Sequence, residues 1–180
     1  MIRLALASTA LALSLSVSAT APAQPANPAP VAAGPMDFVT KAAQSDEFEL
    51  REGKLAQSKA TNSQVRAFAA QMIHDHTQSS QDLQNAVRRA GMPPPPPPSI
   101  SAEQARMLAD LETKTGVSFD HTYADQQVIA HRQAESLLQD FSQNGPAGPL
   151  RDAAAHTLPT VQHHLGTAMK LAAQIETAPS

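Results

Sequence analysis

The feature that most constrains this chain is a helical repeat of apolar residues that runs through four segments of similar length. Apolar side chains recur at spacings of three and four over residues 36–60, 61–90, 119–143 and 149–175. A helix of about 25 residues is about 37 Å long, because each residue adds about 1.5 Å. Four helices of matched length favour an antiparallel four-helix bundle.

The amino-acid composition agrees with an all-α fold. Hydrophobic residues make up 42% of the 180 residues but aromatic residues only 3%, and alternating runs typical of strands are missing. A chain of this length is large enough for one domain with its own core. The formal net charge of -3 provides no basic surface, so we expect no nucleic-acid partner.

Residues 1–23 have the pattern of a secretory signal peptide. Arg3 precedes an apolar run from Leu4 to Val17, and small residues follow, so cleavage is expected after Ala19 or Ala23. The run is shorter than the roughly 20 residues that a spanning helix needs, so we expect no transmembrane anchor after cleavage. The sequence therefore predicts a periplasmic or secreted protein.

The absence of cysteine fits this prediction and limits the chemistry. Without cysteine the chain has no lipid-modified N-terminal cysteine, no disulfide and no thiolate ligand for a metal. Residues 24–35 are rich in proline and alanine and are predicted to be a linker. The folded domain is predicted to cover residues 36–176.

Six consecutive prolines, residues 93–98, separate the second long segment from the third. They favour a polyproline II rod of roughly 19 Å, at about 3.1 Å per residue, which we interpret as a crossover at the bundle. Ser101 and Gln104 then form a capping-box pattern that opens one extra short helix. The same reasoning predicts Thr61 and Ser118 as N-caps of long helices.

Polar residues interrupt the apolar stripe of each long helix. Burying an ionised carboxylate or an unpaired imidazole costs on the order of several kcal/mol unless it is paired or bound to metal. The interior groups are Glu49, His76, His131 and His164.

Two interpretations of this set remain open at the level of sequence. The four groups could hold a single Zn, Cu or Fe ion in the bundle core, where such folds build metal centres. They could instead form a metal-free hydrogen-bond network, in which Asp75 or Glu49 orients a histidine and Tyr123 completes the circuit. The remaining histidines are expected to face solvent, and Asp120 is explained by the dipole of its helix.

Three segments resemble a known family of exported bacterial proteins. They are "FELREGKLAQSKATNSQVRAFAAQMIHDHTQ", "LETKTGVSFDHTYADQQVIAHRQAESLL" and "LPTVQHHL". The resemblance is to the domain of unknown function (DUF) 4142 family and implies a ferritin-like helical bundle. The positions that match its motifs are Glu49, Asp75, His76, Asp120, Tyr123, His131 and His164.

The resemblance implies a fold and an exported location, because the family has no settled activity. A carboxylate-bridged di-iron centre is disfavoured, since no Glu-x-x-His motif occurs in the chain. The first hypothesis is an exported protein that binds one metal ion, in envelope stress or metal handling, without being an enzyme. The alternatives are a metal-dependent redox enzyme of the periplasm and a metal-free structural or interaction module; no protein partner is identified.

Overall fold

A computed structural model describes residues 34–95, 97 and 99–176 of the chain. None of these residues lies in a strand. They form five α-helices: α1 (Pro35–Lys59), α2 (Ser63–Arg89), α3 (Ala102–Thr113), α4 (Gly116–Asn144) and α5 (Pro149–Glu176). The predicted all-α bundle with one extra short helix is therefore confirmed.

The predicted N-terminal features fall largely outside this part of the chain. The signal peptide at residues 1–23 and the linker as far as residue 33 are not among the described residues. Pro35 is the first residue of α1, one position before the predicted start of the domain. Within the described ranges, no helix has the length and apolar character needed to cross a membrane.

The four long helices form a ring in which each has two neighbours. α1 packs against α2 and α4, and α5 packs against the same two helices. Phe38 at the start of α1 stacks on Phe141 near the end of α4, with ring centroids 3.9 Å apart. At the other end of the bundle, Asp120 of α4 accepts a hydrogen bond from the Thr61 amide, just after α1. α1 and α4 are therefore antiparallel, as in bundles with one long crossover.

The crossover contains the proline run and α3, and it connects α2 to the opposite end of the bundle. α3 packs against α1 and α4. The Lys59 ammonium donates to the Glu112 carbonyl (2.6 Å), and the Gln126 side-chain amide donates to the Met107 carbonyl (3.0 Å). These bonds hold α3 against the outer side of the two helices.

The core consists of two apolar clusters with polar residues between them. On every long helix, buried apolar residues occupy both ends of the stripe and a buried polar group lies in the middle. The first cluster includes Ala56, Val65, Phe119 and Leu171. The second includes Phe38, Leu83, Leu138 and Val161. The middle layer contains Glu49, His76, His131 and His164.

The helix boundaries confirm one predicted cap and correct two. Ser101 and Gln104 form the expected capping box at the start of α3. The cap of α2 is Asn62 rather than Thr61, since the Asn62 side chain accepts from the Gln64 amide at 2.8 Å. Ser118 lies inside α4, which begins two residues earlier at Gly116, a residue with φ of 57°. Left-handed backbone suits glycine, so the helix starts where that conformation is free of strain.

Candidate metal centre

Three histidines from three helices meet in the polar layer. His76 lies on α2, His131 on α4 and His164 on α5, and their exposed fractions are 5%, 1% and 1%. One nitrogen of each ring lies within 4.8 Å of a nitrogen of each of the other two. The ring centroids are 5.4 to 5.8 Å apart. We call these three residues the histidine cluster.

One nitrogen of each ring is held by a hydrogen bond to an acceptor outside the cluster. His76 Nδ1 lies 2.8 Å from Asp46 Oδ1, and His164 Nε2 lies 2.9 Å from Asp75 Oδ2. His131 Nδ1 lies 2.9 Å from the Gln127 carbonyl oxygen. A carbonyl or carboxylate oxygen only accepts, so each of these nitrogens carries the proton. Outer hydrogen bonds of this kind orient histidines that bind metals.

The other nitrogen of each ring has no hydrogen-bond partner among the described residues. These atoms are His76 Nε2, His131 Nε2 and His164 Nδ1, and all three are buried. When a ring is neutral and its proton is on the outer nitrogen, this other nitrogen presents a lone pair. A tetrahedral metal ion with ligands at about 2.0–2.1 Å would hold its nitrogens roughly 3.4 Å apart. Modest side-chain movements would therefore bring the cluster to that geometry.

Burial favours the neutral, metal-binding form of two of the rings. It lowers the pKa of His164 to about 4, although the hydrogen bond to Asp75 acts in the opposite direction. The pKa of His131 is also lowered, mainly by burial. For His76 burial lowers the pKa, but the hydrogen bond to Asp46 and the charge of Glu49 together raise it. The cluster therefore includes at least two imidazoles that are neutral near pH 7.

Glu49 is close to the cluster but lies beside the outer nitrogen of one ring. Its Oε1 is 3.7 Å from His131 Nδ1, the nitrogen that is already bonded to Gln127. Its Oε2 accepts a hydrogen bond of 2.6 Å from Gln127 Nε2. The structure thus brings together three of the four predicted ligands and places Glu49 next to them. As placed, Glu49 supplies negative charge near His131 rather than a fourth ligand.

A second buried carboxyl group lies one turn along α1. Glu52 Oε2 accepts from the same Gln127 amide at 2.9 Å, while Glu52 Oε1 and the Tyr123 hydroxyl have no partner among the described residues. Burial and the charge of Glu49 raise the pKa of Glu52 well above its usual value. Burial and both carboxylates likewise raise the pKa of Tyr123. Tyr123 is therefore close to the carboxylates, but no hydrogen bond joins it to a histidine.

The two sides of the histidine cluster differ. The ring of Phe68 lies 6.4 Å from that of His131 and 6.5 Å from that of His164, and belongs to the first apolar cluster. On the other side, toward Phe38, a cavity reaches His76 and His164. The cluster is thus packed against an aromatic ring on one side and accessible from a cavity on the other.

Asp120 belongs to a different part of the structure. Its side chain is only 2% exposed and accepts from the backbone amides of Thr61 (3.1 Å) and Asn62 (2.9 Å) and from the Thr61 hydroxyl. The helix dipole alone is therefore an incomplete explanation, because Asp120 joins α4 to the α1–α2 turn. The Thr61 hydroxyl bonds to Asp120, and this contact explains why Thr61 does not cap α2.

Sequence reasoning missed Asp46, which is 4% exposed and orients His76. The signal was present, because Asp46 precedes Glu49 by one helical turn on the buried stripe of α1. Asp75 hydrogen-bonds a buried histidine, His164, through one carboxylate oxygen, and the exposed His74 through the other. The remaining histidines are at least partly exposed, as expected: His74, His121, His156 and His163.

Comparison with known proteins supports the family and the fold. Residues 19–171 match the family described as "Domain of unknown function (DUF4142)". No curated protein matches the chain. A solved structure titled "CopM in the Cu(II)-bound form" is similar, with a TM-score of 0.67 and 13% sequence identity. The alignment covers 78% of this chain and 97% of that one, and at this identity it shows the fold alone.

Proposed function

The chain belongs to the DUF4142 family, and from this premise and the site geometry we propose that it binds one transition-metal ion through His76, His131 and His164. Asp46, the Gln127 carbonyl and Asp75 hold the outer nitrogens of these rings. The fixed rings then direct their free nitrogens to one ion. The negative charge of Glu49 beside His131 favours a cation at this position.

The observation that carries this proposal is the set of three buried nitrogens without partners. A buried polar group left without a hydrogen bond costs about 1–3 kcal/mol. In a network made of side chains alone each lone pair would accept from a donor, yet within the described part of the chain none of the three has one. A single bound cation would satisfy all three nitrogens at once.

The donor set favours Zn(II), Cu(II) or Fe(II) over hard ions such as Mg(II), because the inner atoms are imidazole nitrogens. Among first-row divalent ions at nitrogen sites, Cu(II) generally binds most tightly. A protein with a similar fold, CopM, has been solved in a Cu(II)-bound form. Cu(II) is therefore the first ion to test, with Zn(II) as the comparison.

We further propose that the protein acts after export, in metal handling or envelope stress. The support is the pattern of residues 1–23, together with a domain that has no cysteine ligand requiring a reducing compartment. The test is to isolate the periplasmic fraction of an expressing bacterium and sequence the N-terminus. We expect Thr20 or Gln24 as the first residue; an intact Met1 in the cytoplasm would contradict export.

The metal proposal is tested by equilibrium dialysis of purified metal-free protein against Cu(II) and, separately, Zn(II). We expect one tightly bound ion per chain. His164→Ala should weaken binding by more than the roughly 10–100-fold that loss of an outer hydrogen-bond partner costs. The matched control is His163→Ala, because His163 is the exposed neighbour on the same helix. Equal metal uptake by both variants would rule out the site.

A redox enzyme is the second candidate, and one observation favours it. Three protein ligands leave at least one coordination position for another molecule, and the cavity beside His76 and His164 gives access to it. Turnover of hydrogen peroxide or oxygen by the metal-loaded protein separates the enzyme from a binding protein. Activity that persists in His164→Ala would show that it arises elsewhere.

A further inference from the structure

The cavity beside the histidine cluster lies between the four long helices. Its walls come from α1, α2, α4 and α5, and most of the lining side chains are apolar. They include Phe38, Leu83, Leu138, Ala154 and Val161, which belong to the second apolar cluster. The remaining lining residues are polar: Ser45, Asp46, Asp75, His76, Ser79, Thr157, Thr160 and His164. Apolar walls combined with polar groups that fix orientation are typical of a site for a small molecule.

Two rings of the histidine cluster are among the polar groups that line this cavity. His76 and His164 line the cavity and each has one buried nitrogen without a partner, whereas His131 is not part of the lining. Phe68 packs against the cluster from the other apolar half of the core. An ion held by the three rings would therefore have its accessible side toward the cavity.

We propose that this cavity binds a small neutral molecule with an apolar body, whose single nitrogen or sulfur atom coordinates the metal ion. The inference rests on the proposed metal binding and adds the class of ligand that the site accepts. A tetrahedral ion with three protein ligands has one position left for it. The apolar wall beside that position gives the rest of the molecule a surface to bury.

The charge of the lining argues for a neutral ligand. Asp46 and Asp75 both line the cavity, and each is fixed there by its hydrogen bond to a histidine. Their two negative charges stand against the charge of a divalent ion, and an added anion would lie close to both carboxylates. A neutral donor such as an imidazole or a thioether avoids that repulsion.

The test uses Cu(II)-loaded protein and a series of 1-alkylimidazoles, from methyl to propyl. Their visible absorption spectra report coordination to copper, and titration gives each dissociation constant. Each added methylene that becomes buried should strengthen binding about fourfold, from the usual transfer free energy of a methylene group. Azide, a small anionic donor, should bind more weakly than 1-propylimidazole.

Variants that fill the cavity provide the control. Ala153 lines the cavity and is half-buried, whereas Ala155 on the same helix is exposed and is not part of the lining. Ala153→Phe should still bind one copper ion but bind 1-propylimidazole at least tenfold more weakly. Ala155→Phe should behave like the parent protein. Thr157→Leu, at another half-buried lining position, provides a second filled cavity if Ala153→Phe fails to fold.

The outcomes separate this inference from the metal proposal. The ligand inference is wrong, and the metal site stands, if copper binds but the affinity for 1-alkylimidazoles does not change with alkyl length. The same holds if azide binds more tightly than 1-propylimidazole. If copper does not bind, both proposals are wrong. The inference is supported if affinity rises steadily with the length of the alkyl group in the parent protein and in Ala155→Phe, but not in Ala153→Phe.

Discussion

Asp120 and the histidine cluster are both buried polar sites, but they differ in how their polar atoms are satisfied. The carboxylate oxygens of Asp120 accept two backbone amides and one hydroxyl. Each histidine of the cluster has one nitrogen bonded and one without a partner among the described residues. Both carboxylate oxygens of Asp120 therefore have partners within the protein, whereas the described residues supply none for one nitrogen of each histidine.

This difference separates a structural role from a binding role. A buried carboxylate with charge-assisted hydrogen bonds fixes one arrangement of the chain around it. Three buried nitrogens without partners among the described residues would gain an interaction if a cation binds as proposed above. Substitutions should therefore affect stability at Asp120 and metal binding at the cluster.

The largest expected effect on stability comes from Asp120→Ala. The change leaves the Thr61 and Asn62 amides and the Thr61 hydroxyl without their acceptor, at a cost of about 3 kcal/mol in the free energy of unfolding. Urea denaturation of the metal-free protein measures it. Asp125→Ala, an exposed carboxylate on the same helix, should change stability by less than about 0.5 kcal/mol. Equal changes in stability for the two substitutions would contradict a structural role for Asp120.

The stability gained on binding copper should depend on the histidine cluster and not on Asp120. A free Cu(II) concentration of about 100 times the dissociation constant should raise the free energy of unfolding by about 2.7 kcal/mol, because the ion binds only the folded site. Asp120→Ala should retain this gain, whereas His131→Ala should lose it. Thermal unfolding with and without copper measures both. A gain that survives His131→Ala would place the ion outside the cluster.

The metal-free cluster should also make stability depend on pH. His164 has a folded pKa of about 4 against 6.5 when unfolded, so the unfolded chain binds more protons between these values. Stability should therefore fall as pH falls from about 6.5 to about 4, by at most about 1.4 kcal/mol per pH unit for this group. His131 acts in the same direction, and the raised pKa of His76 opposes it.

Urea denaturation at several pH values tests this dependence. Replacing His164 with alanine should reduce the loss of stability below pH 6.5, while Asp120→Asn should leave the slope in that range unchanged. The reason is that the titration belongs to the imidazole, which gains a proton on unfolding. An unchanged slope after loss of His164 would show that its pKa is ordinary in the folded protein.

The smallest effect is expected for Glu52→Gln. Burial and Glu49 raise the pKa of Glu52, so its neutral form is favoured in the folded protein and a neutral amide of similar shape should replace it. Stability contributed by this carboxyl group is present at low pH and lost as pH rises through its folded pKa. We expect a change within about 1 kcal/mol near neutral pH, measured by urea denaturation. Strong destabilisation would indicate an ionised and paired Glu52.

Much of the fold follows from local rules that the sequence displays. The spacing of apolar residues predicted the long helices, and the Ser101–Gln104 pattern predicted the start of α3. Ser118 failed as a cap because α4 begins earlier, at Gly116, whereas Thr61 failed for a reason that local rules omit. Thr61 has a distant acceptor in Asp120, which lies 59 residues further along the chain. A capping rule considers only neighbours within one turn.

The sequence by itself determined that the chain forms long helices and that each carries a polar group in its apolar stripe, because helical periodicity is local. Only the tertiary structure decided which of those groups meet. His164 lies on α5, which packs against both α2 and α4, the helices of His76 and His131. Glu49 lies at the outer nitrogen of His131. The rotation and axial position of each helix set these distances, and they depend on the packing of all four helices together.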